Sequence, residues 1–178
     1  MRVASPSAKS HAARTEQIIL FRVSGQVFAV SSASVQEVRS VDSLSGAATE
    51  INLPTLRKVR HVVRRGDKSL YVVNAAAHFG LPASSAGLVF VLRKTRTALL
   101  VDGMDKMATM NRLQALPLSY CHEERQWYRG LTALDQNVIP VVNPEGFLTA
   151  DEFALLDASL PPLETPEETT SNSTELPQ

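Results

Sequence analysis

The sequence predicts a mostly β protein built from a small β unit that occurs twice. Three observations carry this. The dominant hydrophobic period between the two ends of the chain is two, the spacing of a half-buried strand. β-Branched residues cluster in short runs such as "SLYVVN", "LVFVLR", "TALLV" and "NVIPVV". One order of features is also met early and again late. "ILFRVSGQVFAVSSASVQEV" (19–38) and "FVLRKTRTALLVDGMDKM" (90–107) each read strand, Arg, turn, strand ending in Val, then a segment with apolar residues at helical spacing. "RGDKSLYVVNAAAHFGL" (65–81) and "RGLTALDQNVIPVVNPEGFL" (129–148) share Arg-Gly, a strand, Val-Val-Asn, an aromatic and Leu. A unit this small struggles to bury its own apolar face, and two copies can share one core. Closing each into a barrel would remove exposed strand edges. A greasy seam between the two units would then be open to other macromolecules.

The elements follow in order. Ser24-Gly25 between two apolar runs is the signature of a hairpin. Val59, Val62 and Val63 anchor a strand or turn inside "RKVRHVVRRG" (57–66). "NAAAHFG" has a capping Asn74 and a terminating Gly80, enough for one or two helical turns. "TADEFALLDAS" opens on Thr149 with Glu152 three residues on, a capping box, so a C-terminal helix is expected to pack on the barrels. Residues 1–16 are Ser/Ala-rich and basic, and 159–178 are acidic and Pro/Thr/Ser-rich. Both are expected to be disordered tails flanking a domain over 17–158.

Composition excludes several classes. The formal net charge is +0, so no long-range field draws the molecule to phosphate or to an anionic membrane. The apolar runs at 70–73 and 87–92 are far too short for a bilayer span, and the expectation is a soluble, cytoplasmic protein without direct membrane insertion. A lone Cys121 fits a reducing compartment. "CHEE" (121–124) places a thiol beside an imidazole and two carboxylates, yet chain neighbours rarely converge on one point. His11, His61 and His78 stand at no metal-ligating spacing with it and read as surface or capped residues. Single glycines form no phosphate loop. The reading is a non-enzymatic protein with no catalytic residue, cofactor or metal.

Five of the eighteen Lys and Arg residues fall within 57–66. One reading is a solvated edge with Arg65 alone in a partner contact; a second is a wider protein-docking surface. The alternative function is a small β-barrel nucleic-acid binder using 57–65. Five neutralised phosphates would then cost affinity with a slope of about −4.5 against log salt. No interleaved aromatics for base stacking accompany the cations, and acidic residues elsewhere cancel their field. "QWYRG" (126–130) holds the only Trp; Trp127 is expected to cover a barrel end, with an interface hot spot as the other reading.

Several motifs come in the order seen in CheW-type chemotaxis coupling proteins. They are Val35-Gln36-Glu37-Val38-Arg39 after a hairpin, Arg65-Gly66 opening a strand, "VDGM" (101–104), "GLTALDQNVIPVVN" (130–143) and "TADEFALLD" (149–157). The resemblance covers residues 17–158. It implies a fold of two intertwined, SH3-like five-stranded β-barrel subdomains with a few short helices. It further implies an adaptor that joins the regulatory domain of a CheA-like histidine kinase to the cytoplasmic tips of chemoreceptors, at arrays on the inner face of the membrane. On this resemblance Val35 and Glu37 fall on a Val-x-Glu motif of partner contacts, and Arg65 and Gly66 on the end of an Asn-Leu-Arg-Gly motif near the inter-barrel groove. The sequence departs from the family pattern at Val63, Arg64 and Asn74. Those departures suit an adaptor serving a specialised kinase, such as one controlling pili or surface motility.

Overall fold

The computed structural model describes residues 15–44 and 47–161; the expectations for residues 1–14, 162–178 and His11 lie outside them. Eleven strands form two sheets. β1 (Glu16–Val23) and β2 (Gln26–Ser31) are the predicted hairpin, with Ser24 at φ 50 and Gly25 at φ 78, the paired positive angles of a tight primed turn. There follow β3 (Val35–Ser40), β4 (Ala48–Glu50), β5 (Val59–Arg65), β6 (Lys68–Asn74), β7 (Leu88–Leu92), β8 (Thr97–Val101), β9 (Gly103–Met110), β10 (Tyr128–Leu134) and β11 (Asn137–Val142). The described residues also form three α-helices, α1 (Ala75–His78), α2 (Glu124–Trp127) and α3 (Ala150–Ser159), and three short 3-10 turns.

The sheet orders show how the halves interlock. The five-stranded sheet runs β10-β11-β2-β1-β9, and the six-stranded sheet runs β3-β7-β8-β6-β5-β4. Read from β5, the second is β5-β6-β8-β7-β3, the same order with corresponding strands. Each sheet therefore combines a hairpin from one half with strands from the other, three in the first sheet and, with β4 added, four in the second. Each hairpin is joined to the other half on both sides, by a parallel pair (β6 with β8, β11 with β2) and by an antiparallel pair (β7 with β3, β1 with β9).

Each sheet also turns back on itself. Met110 of β9 and Leu134 of β10 come from opposite edges of the first sheet yet pack on one cluster with Ile18, Leu20 and Ile139. The rings close through the chain and not through pairing of the edge strands. Beyond β3 the chain returns as β4 to pair with β5, and beyond β9 Gln114 makes a bridge to Leu131 of β10. A second small cluster, Val63, Val72, Val89 and Ala98, fills the other ring.

The seam between the rings is closed. Phe21, Phe28, Phe90, Tyr71, Leu99 and Phe147 lie fully or almost fully buried in one large cluster between them, so the expected open seam is filled by the chain's own side chains. Strand β1 shows why the sequence favours this. Ile18 and Leu20 face the small cluster while Ile19, Phe21 and Val23 face the shared one, so both faces of a single strand are apolar. Burying each such side chain contributes about 1.5–3 kcal/mol.

Helix α3 packs on the shared core. Thr149 and Glu152 form the predicted capping box. Leu156 enters the shared core, and the helix is held by a bidentate Arg96–Asp157 pair at 2.8 Å on both oxygens, by the Tyr71 hydroxyl donating to Asp157, and by Lys58–Glu152. The Arg96 guanidinium also lies 5.0 Å from the Phe153 ring centre.

Three expectations need correction. The segments after the hairpins, read as helical, are strands β3 and β9. Arg65 ends β5 and Gly66 sits in the following turn at φ 62, so Arg65-Gly66 closes a strand and does not open one. Its counterpart is consequently not Arg129-Gly130, which lies inside β10, but the positive-φ turn Asp135-Gln136 between β10 and β11. The Val-Val-Asn correspondence holds: Asn74 is the last residue of β6 and Asn143 the first after β11, and each caps the short helical turn that follows.

Candidate partner-docking site

Strands β3 and β5 lie far apart in the order of the second sheet, and the curl of the ring brings their ends together. There the Glu37 carboxylate accepts from Arg39 Nε at 2.5 Å through one oxygen and from an Arg65 terminal nitrogen at 3.3 Å through the other. Two of the residues singled out from sequence, twenty-eight positions apart, thus meet in an ion pair. Arg39 first, and Arg65 second, hold the Glu37 carboxyl below the ordinary carboxylate range. Gly66 has open space where a Cβ would stand, so its role is the turn conformation.

Val35 departs from expectation. It is 8% exposed and packs in the shared core, because β3 enters the ring there and Val35 is paired with Leu92. Its neighbour Val38, 40% exposed, presents the apolar surface beside Glu37. Val38 stands in the same motif but is not among the contact residues assigned from sequence; an exposed apolar side chain cannot be told from a core one by residue type. The candidate site is thus Val38, Glu37, Arg39, Arg65 and Gly66 at one end of the second ring.

The basic stretch does not form one face. Lys58 pairs with Glu152, Arg65 with Glu37, and Arg64 donates to the carbonyl of Pro161 at 2.6 Å. Arg57 and Arg60 line a hollow of about 400 Å³ together with Glu50, Ile51 and Leu53. Val59, Val62 and Val63 are buried between the cations, as expected of strand anchors. Strand β5 is not an edge, since β4 covers it.

A protein-family model, the CheW-like domain, matches residues 17–152. The chain belongs to the CheW-like domain family. Among solved structures it is similar to the scaffolding protein TtCheW from Thermoanaerobacter tengcongensis, with 12% sequence identity and a TM-score of 0.63 over 78% of this chain and 96% of that one. That likeness is one of fold. No curated protein sequence matches the chain. Membership places the molecule among CheW-type scaffolds of chemotaxis signalling, a family of non-enzymatic proteins. Among the described residues no helix is long and apolar enough to cross a membrane.

The remaining features of this CheW-like domain are structural. In "CHEE", Glu124 accepts from the Cys121 backbone N–H at 2.9 Å while the Cys121 sulfur accepts from the Glu124 N–H, a reciprocal cap that opens α2. Cys121 and His122 are exposed, and among the described residues no group of His, Cys, Asp and Glu is placed to hold a metal. Trp127 covers one end of the shared core as expected, half-buried, its ring centre 4.6 Å from that of His78 and 6.1 Å from that of Phe79.

His78 itself is not the surface or capped residue expected. It is 6% exposed among Trp127, Phe79 and Phe147, and its Nε2 has no hydrogen-bond partner among the described residues. Burial, helped by the nearby Lys58 charge, pushes its pKa down to about 3, so the imidazole is neutral at physiological pH.

Proposed function

We propose that this CheW-like protein couples the cytoplasmic tips of chemoreceptors to the regulatory domain of a CheA-like histidine kinase, in the cytoplasm at receptor arrays. The departures at Val63, Arg64 and Asn74 fit a specialised kinase, such as one controlling pili or surface motility, equally well. The observation that carries the reading is the Glu37–Arg65 pair at an exposed end of the second ring. It joins the two positions that the family resemblance assigns to partner contacts, on a domain whose family model spans 17–152. Beside it Val38 offers the apolar element such a contact needs. A small apolar centre with a charged rim is the usual anatomy of a specific interface, in which the rim sets orientation and a few anchors supply affinity.

The partner-contacting residues are Glu37, Arg65 and Gly66, with Val38 in the place first assigned to Val35. The test is direct binding of the kinase regulatory domain, measured by titration, to wild type and to Arg65→Glu. A tenfold or larger loss with the fold intact supports the coupling role. Equal affinity, or no binding by either protein, rejects it.

A further inference from the structure

We infer that the acidic segment 162–178 docks on the cationic tip of the β5–β6 hairpin and thereby competes with an acidic segment of a binding partner for Arg65. The path of the chain supports this. Helix α3 is tied through Glu152 to Lys58, just before β5, and the chain beyond it is tied through the Pro161 carbonyl to Arg64 of β5. The next residue of β5 is Arg65, and the turn carries Gly66, Asp67 and Lys68. Segment 162–178 therefore starts one strand position from Arg65, on the opposite face of β5, and reaches the candidate docking site by passing round the hairpin tip.

Charge fits the same arrangement. Segment 162–178 contains Glu164, Glu167, Glu168 and Glu175 and no Lys or Arg. At the tip stand Arg39, Arg64, Arg65 and Lys68 against only Glu37 and Asp67. Arg64 already spends donors on Pro161, and Arg65 makes a single long contact with Glu37 at 3.3 Å, so donors of both guanidinium forks remain for further carboxylates. Reach is ample: seventeen residues can span up to roughly 55 Å, and the cations lie within a few residues of the anchor at Pro161. The local concentration of a tethered segment is in the millimolar range, enough for a contact that would be weak between separate molecules. Occupancy falls as salt screens the exposed charges, since the Debye length is about 8 Å at physiological ionic strength.

The docking needs no partner, whereas its competitive consequence rests on the proposed coupling function, so the two are measured separately. The full chain is compared with a full-length variant carrying Glu164→Gln, Glu167→Gln, Glu168→Gln and Glu175→Gln. Backbone amide and Arg side-chain resonances are followed by NMR at about 20 mM and about 300 mM salt. Docking is expected to separate the two proteins at Arg64 to Lys68 and Arg39 in low salt, with the separation closing in high salt. Superimposed tip resonances in low salt overturn it, as does a separation that salt leaves unchanged. The kinase regulatory domain should then bind the variant about threefold or more tightly than wild type. Docking with equal affinities overturns the competition. Failure of both proteins to bind the kinase rejects the coupling function, while the resonances still decide the docking.

Discussion

Glu37 and Arg65 come from strands that are not neighbours in the sheet, and their contact spans the closure of the second ring. The first ring has a matching pair with the signs exchanged: Lys106 of β9 reaches Asp135, in the β10–β11 turn, at 2.9 Å. Both pairs are exposed enough for water to screen them, and surface pairs of this kind add little to stability. Their value lies in fixing where charged groups stand at the ring ends.

It follows that Arg65→Glu should leave the thermal midpoint within about 2 °C of wild type. Affinity for the kinase regulatory domain should nonetheless fall tenfold or more. The double exchange Glu37→Arg with Arg65→Glu restores the internal pair but not the presented charges. It should recover less than half of the lost binding free energy in a titration of all four proteins.

Val35→Asp and Val38→Asp should separate core from surface. A carboxylate at Val35 enters the shared core without a partner and should cost about 3 kcal/mol or more, a fall of roughly 6–12 °C in the melting curve. Val38→Asp, on the exposed side of the same strand, should change the melting curve little and weaken partner binding.

His78 should set the acid limb of stability. Its pKa is about 3 in the fold against 6.5 in the unfolded chain, so between those values the unfolded state binds more protons. Stability is unaffected by this group above pH 6.5 and is lost as pH falls below it, at up to about 1.4 kcal/mol per pH unit. His78→Phe should flatten denaturant midpoints measured between pH 6.5 and 4, while a variant as acid-sensitive as wild type would assign the limb to other groups.

Gly146 and Gly130 should tolerate no side chain. A Cβ on Gly146 would stand 2.0 Å from the Gln126 carbonyl oxygen and 3.1 Å from the Trp127 Cα, both backbone atoms. Gly130, at φ 156, would meet the Gln114 carbonyl at 2.3 Å, across the bridge that closes the first ring. Each Gly→Ala change should cost at least about 2 kcal/mol by chemical denaturation. Gly66→Ala meets no atom and is expected to cost only about 1 kcal/mol for its positive φ.

The parts of this fold legible in sequence were those where both faces of a strand are buried or where a cap dictates residue type. The runs at β1, β6 and β7, the Ser24-Gly25 turn, and the Asn74 and Thr149 caps belong to that group. Strands β3 and β9 misled because they are edges with little to bury. In β9 Met104, Met107 and Met110 stand three apart, which imitates a helix face, yet Met104 and Met107 are exposed. The register shift opposite Leu20 and Phe21 further breaks the alternation that would have marked a strand. Of the candidate site, the motif order pointed to Glu37 and Arg65, which the fold brings into one ion pair, and to Val35, which is buried while Val38 is exposed because burial is set by how β3 enters its ring.

The exchange of hairpins between sheets also bears on synthesis. β1 and β2 are made first, but their sheet is not complete until β11 ends at Val142. The other ring has all its strands once β8 ends at Val101. During translation, then, a second-born barrel can assemble while Ile18, Leu20 and Ala29 wait uncovered on the nascent polypeptide. A ribosome stalled between those points would display a half-built molecule with a sticky hairpin at its leading end, the natural handle for a chaperone.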